Sequence, residues 1–326
     1  MGWKNRRVLV TGAGGFVGSH LAERLLIRGA RVRALVRYNS LGTWGWLDHS
    51  NQKKEIEIFA GDVREKDSLK KAFHGIDVVF HLAALIGIPY SYETPASYVK
   101  TNIEGTLNVL QLALDSGAKV IHTSTSEVYG TACSVPISEE HLLRAQSPYA
   151  ASKIAADKIV EAFHFSYGLP VVTVRPFNIF GPRQSMRAVI PTIIGQILNG
   201  TKIQLGNLKA TRDLNFVTDT VEGFLLAGVT PRAIGRVINL GSGREISIGD
   251  LAKKILRLMG RNNPILTDRH RIRPHRSEVE RLCANSAVAK QLLRWEPTCS
   301  LENGLRETIS WIEENSSRYQ STSYAV

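Results

Sequence analysis

Tyr149 and Lys153 stand four residues apart in SPYAASK, the spacing that puts two side chains on one face of a helix. A free phenol has a pKa of about 10, and a neighbouring ammonium favours its phenolate. Such a pair can take the proton from a hydroxyl while the carbon that bears it is oxidised. Upstream, IHTSTSEVYG sets Ser124, Thr125, Ser126 and Glu127 at the end of KVIHTS, a run that reads as a buried strand. Strand ends are where open α/β sheets hold their ligands. The cluster is either an ordinary polar strand end or a catalytic face on which Glu127 adds a second base. The plainer reading keeps Glu127 as a structural carboxylate, paired for instance with a helix N-terminus. A Tyr-x-x-x-Lys pair taken alone is commonly a surface pair.

A third group of residues suits phosphate. In TGAGGFVGSHL, Gly12, Gly15 and Gly18 recur every third residue between an apolar strand and an amphipathic helix. Glycines there allow a tight turn and let backbone N–H groups and the helix N-terminus approach a pyrophosphate. A lone glycine triplet also serves plain turns, but this placement points to a dinucleotide. Asp62 in AGDV ends a later strand, where it either accepts from an adenine amino group or caps a helix. At the end of strand two, an acid would hold the ribose 2′-hydroxyl of NAD. The chain has Arg37 there, followed by Tyr38, Asn39 and Ser40. Guanidinium and hydroxyl suit a 2′-phosphate, so NADP is expected in preference to NAD, with a solvated strand-end charge as the alternative.

The elements that must position these groups alternate through the first half: RVLVTG, FVGSHLAERLLIRG, RVRALVR, EIEIFAGD, a short helix near 67–74, DVVFHLAA, a helix near 95–116, and KVIHTS. That alternation is the grammar of an α/β fold with a doubly wound parallel sheet. A helix follows with Ser147 as N-cap and Pro148 first, then PVVTVRP as a sixth strand. Beyond Gly181 the pattern loosens into a helix at 188–199, strands near 202–205 and 213–217, a helix near 219–228 and the strand RVINLGS. Ser247 and Asp250 make a capping-box pattern, and a basic loop at 268–276 precedes two final helices. The expected division gives 1–180 with 212–242 to the dinucleotide and 181–211 with 243–326 to a smaller substrate lobe. The last residues, QSTSYAV, read as a frayed tail.

At 326 residues the chain is long enough for a full hydrophobic core. Cys133, Cys283 and Cys299 form neither paired spacings nor a metal pattern, which fits a reducing compartment and a cytoplasmic protein. MGWKNRRVLVTG reaches a strand too soon for a signal peptide, and no apolar run approaches membrane-spanning length. The formal net charge of +12 admits nucleic acid, acidic lipid or a phosphorylated small molecule. No nucleic-acid-binding motif accompanies it.

Taken together, TGAGGFVG, AGDV, HLAA, NIEGTLNVL, STSEVYG, SPYAASK, RPFNIFGP and RDLNFVTD resemble the extended short-chain dehydrogenase/reductases, specifically the nucleotide-sugar epimerases and dehydratases. The resemblance implies an internal shuttle of hydrogen on a nucleotide-diphosphate hexose, with a tightly held NADP or NAD regenerated in each turnover. It implies that Tyr149 and Lys153 are the catalytic pair and that Thr125 hydrogen-bonds the sugar. It further implies cofactor contacts at Gly12, Gly15, Phe16, Gly18, Arg37, Ser40, Asp62, Val63, Leu82, Ala83, Ala84, Asn102 and Pro176, besides Tyr149 and Lys153. Asn178, Arg212 and Arg273 fall at positions that touch the substrate diphosphate or close over the nucleotide, and planar guanidinium donors match phosphate oxygens.

Simple reductases and many 4-epimerases of this group need only a hydroxyl at the strand end. A glutamate at the position of Glu127 is what the 4,6-dehydratases use to remove the C5 proton. Glucose-type dehydratases place Asp before it, whereas Ser126 here is similar to the GDP-mannose type. Ser126 then positions water, and Glu127 serves as both base and acid. UDP-glucuronate decarboxylases share a Thr-Ser-Glu strand end, but their helix motif reads Tyr-Asp-Glu-Gly-Lys rather than YAASK. The expectation is a nucleotide-sugar 4,6-dehydratase similar to the bacterial enzymes acting on nucleotide-linked N-acetylglucosamine, with 4-epimerase and decarboxylase as alternatives. A cofactor-sensing regulator would be expected to lack the Tyr and Lys. The resemblance also implies a homodimer through a four-helix bundle of helices 95–116 and 148–166. Trp44 and Trp46 in LGTWGWL are read as loop packing.

Overall fold

The computed structural model describes residues 2–200 and 202–319; the expected tail at 320–326 lies outside them. The first half runs β1 (Arg7–Thr11), α1 (Phe16–Ile27), β2 (Arg31–Val36), β3 (Glu57–Ala60), α2 (Lys66–Phe73), β4 (Val78–His81), α3 (Ile88–Glu93), α4 (Pro95–Tyr98), α5 (Gly105–Ser116) and β5 (Lys119–Thr123). Next come α6 (Pro148–Tyr167), β6 (Val171–Pro176), β7 (Asn178–Phe180), α7 (Val189–Asn199), β8 (Ile203–Leu205), β9 (Thr211–Phe216), α8 (Val217–Val229) and β10 (Val237–Leu240). The chain closes with β11 (Glu245–Ser247), α9 (Ile248–Leu258), β12 (Ile265–Thr267), β13 (Arg281–Leu282) and α10 (Leu301–Glu314).

β-Branched runs buried on both faces pair only in parallel beneath covering helices. They do so here in one seven-stranded sheet of order β10-β6-β5-β4-β1-β2-β3. The winding reverses between β1 and β4, so the loops after those strands diverge and leave a crevice at their C-terminal ends. Apolar side chains of α1 and α8 fill one face of the sheet, around Leu21, Leu25, Val78, Phe80 and Phe224. Those of α2, α5 and α6 fill the other, around Leu69, Val79, Leu110 and Val160.

Two smaller sheets accompany it. In one, β9 pairs with β11 antiparallel and with β7 and β13 in parallel; in the other, β8 pairs with β12. β11, β12 and β13 are three residues or fewer, too short to read from residue pattern.

The caps agree with the residues that suggested them. The Ser147 hydroxyl accepts from the Ala150 N–H at 3.1 Å with Pro148 next, and Gly168 ends α6 in the left-handed region at φ 67°. Ser247 accepts from the Asp250 N–H at 3.0 Å. Two expectations need correction. The helix drawn over 95–116 is broken by a π-helical turn at Val99–Glu104, and the first of the two final helices includes another at Ala289–Leu293. Inserted residues of this kind swing a side chain off the regular face. In the first turn that side chain is Asn102, which the site below uses. Among the described residues, no helix is long and apolar enough to cross a membrane.

Candidate active site

β1 ends in a turn that glycine alone can make. Gly12 has φ 70°, and a Cβ on it would lie 2.9 Å from the Ala83 N. A Cβ on Gly18 would lie 2.2 Å from the Gly12 carbonyl oxygen, so helix and turn pack backbone to backbone. Helix α1 starts at Gly15 with no side-chain cap, so its first N–H groups and positive end face the crevice. Phe16, the first helical residue, packs edge-on against His20. A backbone cradle with an uncapped helix start fits a dinucleotide pyrophosphate. Trp44 and Trp46 brace this turn from behind. The Trp46 N–H donates to the Gly14 carbonyl at 2.9 Å, and the Trp46 ring packs on Trp311 at 5.9 Å.

Around the cradle the expected cofactor residues spread along the strand ends. Arg37 and Ser40 are exposed beyond β2, in a loop that Asn39 ties together by accepting from Leu41 and Thr43. Asp62 is neither free nor a helix cap. It binds the Arg64 guanidinium at 2.6 and 2.9 Å, which, ahead of other influences, holds its carboxyl below the ordinary range; the cap position of α2 falls to Glu65. Val63 is buried, and its carbonyl accepts from Asn108 on α5. Leu82 and Ala83 donate their N–H groups to the Thr11 hydroxyl at 3.1 Å each, with Ala84 next in the same loop. Pro176 ends β6 beside Leu240 of β10.

On the β5 side the chain gathers its chemistry. Thr125, extended, caps a short 3₁₀ turn at Ser126–Tyr129 by accepting from the Glu127 N–H at 3.2 Å. The turn buries Ser126, and Glu127 is only 8% exposed. Tyr149 sits one residue into α6, packed against Tyr98 at 6.2 Å between ring centres and beside Ile88. Burial pushes the Tyr149 phenol up, hydrogen bonding with Thr125 pulls it back, and the Glu127 charge raises it further. The Lys153 ammonium donates to the Thr123 carbonyl at 2.6 Å, and burial lowers its own pKa to about 8 against the pull of Asp157. A dry pocket penalises phenolate and ammonium alike.

Beneath these residues lie two polar networks that sequence reasoning missed. In the first, His81 joins Thr11 at 2.9 Å and Thr106 at 3.1 Å, and Thr106 donates to the Asn102 carbonyl at 2.6 Å. The Asn102 side chain, turned inward by the π turn, accepts from the Leu85 N–H and donates to the Leu85 carbonyl and the Ser152 hydroxyl. Ser152 in turn donates to the Tyr149 carbonyl at 2.7 Å. In the second, Asp157 accepts from His122 at 3.1 Å, Ser124 at 2.8 Å and Arg175 at 3.0 and 3.1 Å. Burial opposes that carboxylate, but His122, Arg175 and Lys153 together keep its pKa below the ordinary range. Asp157 stands one helical turn past Lys153, the signal from which it could have been found.

The three expected substrate residues come together from distant segments. Asn178 opens β7, whose partner β9 carries Arg212. Arg212 is buried, which lowers its pKa, and the charges of Glu127 and Glu278 work against that shift. One carboxylate oxygen of Glu278 lies 3.5 Å from Arg212 and 3.8 Å from Arg273. The Asn178 Oδ1 and an Arg273 guanidinium nitrogen are buried with no hydrogen-bond partner. Buried polar groups are ordinarily satisfied, so these two fit a site that takes a polar ligand.

The family model described as GDP-mannose 4,6 dehydratase matches residues 9–308. The chain is 35% identical over 321 residues to a UDP-N-acetyl-alpha-D-glucosaminuronate decarboxylase of Bacillus cytotoxicus, covering 95% of this chain and 98% of that one. It is 34% identical over 318 residues to a UDP-glucuronate 4-epimerase of Thermodesulfobacterium geofontis, covering 94% and 96%. Its fold superposes on DesIV, a dTDP-glucose 4,6-dehydratase of Streptomyces venezuelae solved with NAD bound, with a TM-score of 0.87 at 30% identity, covering 95% and 98%.

Proposed function

The chain belongs to the GDP-mannose 4,6 dehydratase family of nicotinamide-dependent nucleotide-sugar enzymes, and from that membership we propose that it is a 4,6-dehydratase acting on a nucleotide-linked hexose of the N-acetylglucosamine type. The observation that carries this reading is Glu127, a buried carboxylate on the same short turn that Thr125 caps, opposite the Tyr149 phenol. A 4-epimerase needs one base, and this site holds two.

The chemistry follows from that pair. A nicotinamide held by the glycine cradle would accept hydrogen with its bonding electrons from C4 and return it to C6. Tyr149 takes the C4 hydroxyl proton, Thr125 orients that hydroxyl, and Lys153 supplies the positive charge that steadies the phenolate. The resulting C4 ketone acidifies C5, and Glu127 removes the C5 proton. The same carboxyl then delivers that proton to the departing C6 hydroxyl, water leaves, and as hydrogen with its electron pair returns to C6, C5 takes up a proton from solvent. Arg212, Arg273 and Asn178 hold the diphosphate. Exposed Arg37 suits a 2′-phosphate, so NADP is the proposed cofactor. Val99, Leu114, Phe165 and Tyr167, exposed on and beside α5 and α6, are the apolar groups that a second copy would bury in a homodimer.

A second reading has its own support. The relative named as a decarboxylase, together with the buried Arg212 charge beside Glu127, favours a substrate with a carboxylate at C6. Incubating the enzyme with UDP-, GDP- and dTDP-linked hexoses and with UDP-linked uronic acids, and weighing the products, separates the two. Loss of water supports the dehydratase; loss of carbon dioxide identifies a decarboxylase; an isomer of unchanged mass identifies an epimerase.

A further inference from the structure

The basic stretch 269–276 carries Arg273, yet it has little regular structure of its own: two single 3₁₀ turns, Arg269–Arg271 and His275–Ser277, joined by the irregular residues Ile272, Arg273 and Pro274. Something outside it must fix where Arg273 sits. The Gln146 side chain does this from the doorstep of the catalytic helix, one residue before the Ser147 cap and three before Tyr149. Its amide nitrogen donates to two carbonyls, that of Arg276 at the end of the basic stretch and that of Glu278 just past it, at 3.1 Å each. Its amide oxygen accepts from the Thr131 N–H, just past the turn that carries Glu127. Gly130 is shaped to admit it, since a Cβ there would lie 2.5 Å from that oxygen. A second tie runs alongside. Ser277 donates to the Gln146 main-chain carbonyl and shares a 2.6 Å hydrogen bond with the Tyr92 hydroxyl, whose ring packs in the cluster around Tyr149. Gln146 is therefore the common anchor of three segments: the Glu127 turn, the start of α6 and the arginine stretch.

We infer that Gln146, with Tyr92 as its accessory, is a positioning residue that latches the 269–278 segment over the cleft so that Arg273 and the Arg212–Glu278 pair are preset for a nucleoside diphosphate. The inference rests on the proposal that these arginines hold the substrate diphosphate. Fixing a loop before the ligand arrives removes an ordering cost from binding, so the latch acts on affinity for the distal phosphate. The monophosphate portion and the nicotinamide site do not depend on it.

Two variants test this without emptying the core. Gln146→Glu keeps the size and the acceptor for Thr131 but replaces the two donated hydrogen bonds with repulsion between carboxylate and carbonyls. Tyr92→Phe removes only the hydroxyl. On the full chain with its nicotinamide cofactor, trypsin should nick the 269–276 stretch several-fold faster in Gln146→Glu, and less so in Tyr92→Phe. The affinity for whichever of UDP, GDP and dTDP binds the wild type should fall about tenfold in Gln146→Glu, while the corresponding monophosphate binds unchanged. A general loss of structure would weaken both nucleotides together. Unchanged nicking in both variants overturns the latch. Faster nicking with unchanged diphosphate affinity overturns its part in binding. A wild-type enzyme that takes none of the three diphosphates overturns the underlying reading of the arginines, and the nicking result tells that failure apart from a failure of the latch.

Discussion

Thr125→Val removes one hydroxyl from the candidate site and should slow the first chemical step far more than it loosens the fold. Hydrogen bonding with Thr125 favours the Tyr149 phenolate, against burial and the Glu127 charge. A hydrogen bond to a charged group contributes about 1.5–3 kcal/mol, and one pKa unit corresponds to about 1.36 kcal/mol. Without it the phenol titrates higher, and less phenolate is available to take the hydroxyl proton. The proton transfer should therefore slow roughly ten- to a hundredfold. The same oxygen accepts from the Glu127 N–H at 3.2 Å, so its loss also costs about 1 kcal/mol of stability at the cap. Thr125→Ser keeps both hydrogen bonds and is the control. Rapid mixing with a nucleotide hexose, followed by the absorbance of reduced nicotinamide, reads the step, and thermal unfolding reads the cap. A valine variant that reduces its cofactor at the wild-type rate, or a serine variant as slow as valine, refutes the reasoning.

Tyr149→Phe and Glu127→Gln should fail at different points. The first blocks oxidation at C4, whereas the second permits it and stalls before elimination, so reduced nicotinamide should accumulate only in Glu127→Gln. Lys153 has opposite effects on activity and stability as pH rises. Its pKa is about 8 in the folded chain against an ordinary 10.5, so activity that needs the ammonium should fall as pH climbs through about 8. Across the same interval, up to 10.5, the unfolded chain binds more protons, so stability should increase with pH. Lys119, also lowered to about 8 by burial, adds to that stability trend, which denaturant titrations at several pH values would measure. Arg37→Asp should weaken NADP far more than NAD, because like charges then face the 2′-phosphate; equal weakening in a titration of stripped protein would remove Arg37 from the cofactor site.

How much of this could be read before the structure depended on distance along the chain. The glycine turn, the Ser147 cap and the Tyr149–Lys153 face are local, and residue type with spacing was enough to place them. The seven parallel strands were legible because runs such as RVLVT and VVTVRP are buried on both faces and carry one continuous apolar pattern. What escaped was made by long-range pairing. β13 is two residues long and is a strand only because β9 lies beside it. Asn102 faces inward because a π turn shifts it, and nothing in NIEGTLNVL marks that turn. The balance of charge at Tyr149 depends on desolvation, a property of the packed fold rather than of neighbours in sequence. Asp157 and Arg175, eighteen residues apart, meet only because α6 returns along the sheet to β6. Gln146 resembles any polar loop residue until the arginine segment closes on it.

The second base is the central claim, and one labelling experiment tests it most directly. If Glu127 removes the C5 proton, that hydrogen exchanges with solvent, whereas hydrogen taken from C4 stays within the site and returns to C6 of the same sugar. Turnover of a nucleotide hexose in heavy water should give a 4-keto-6-deoxy product with deuterium at C5, and substrate deuterated at C4 should carry its label to C6. A product with hydrogen retained at C5, or with the C4 label still at C4, would contradict the account.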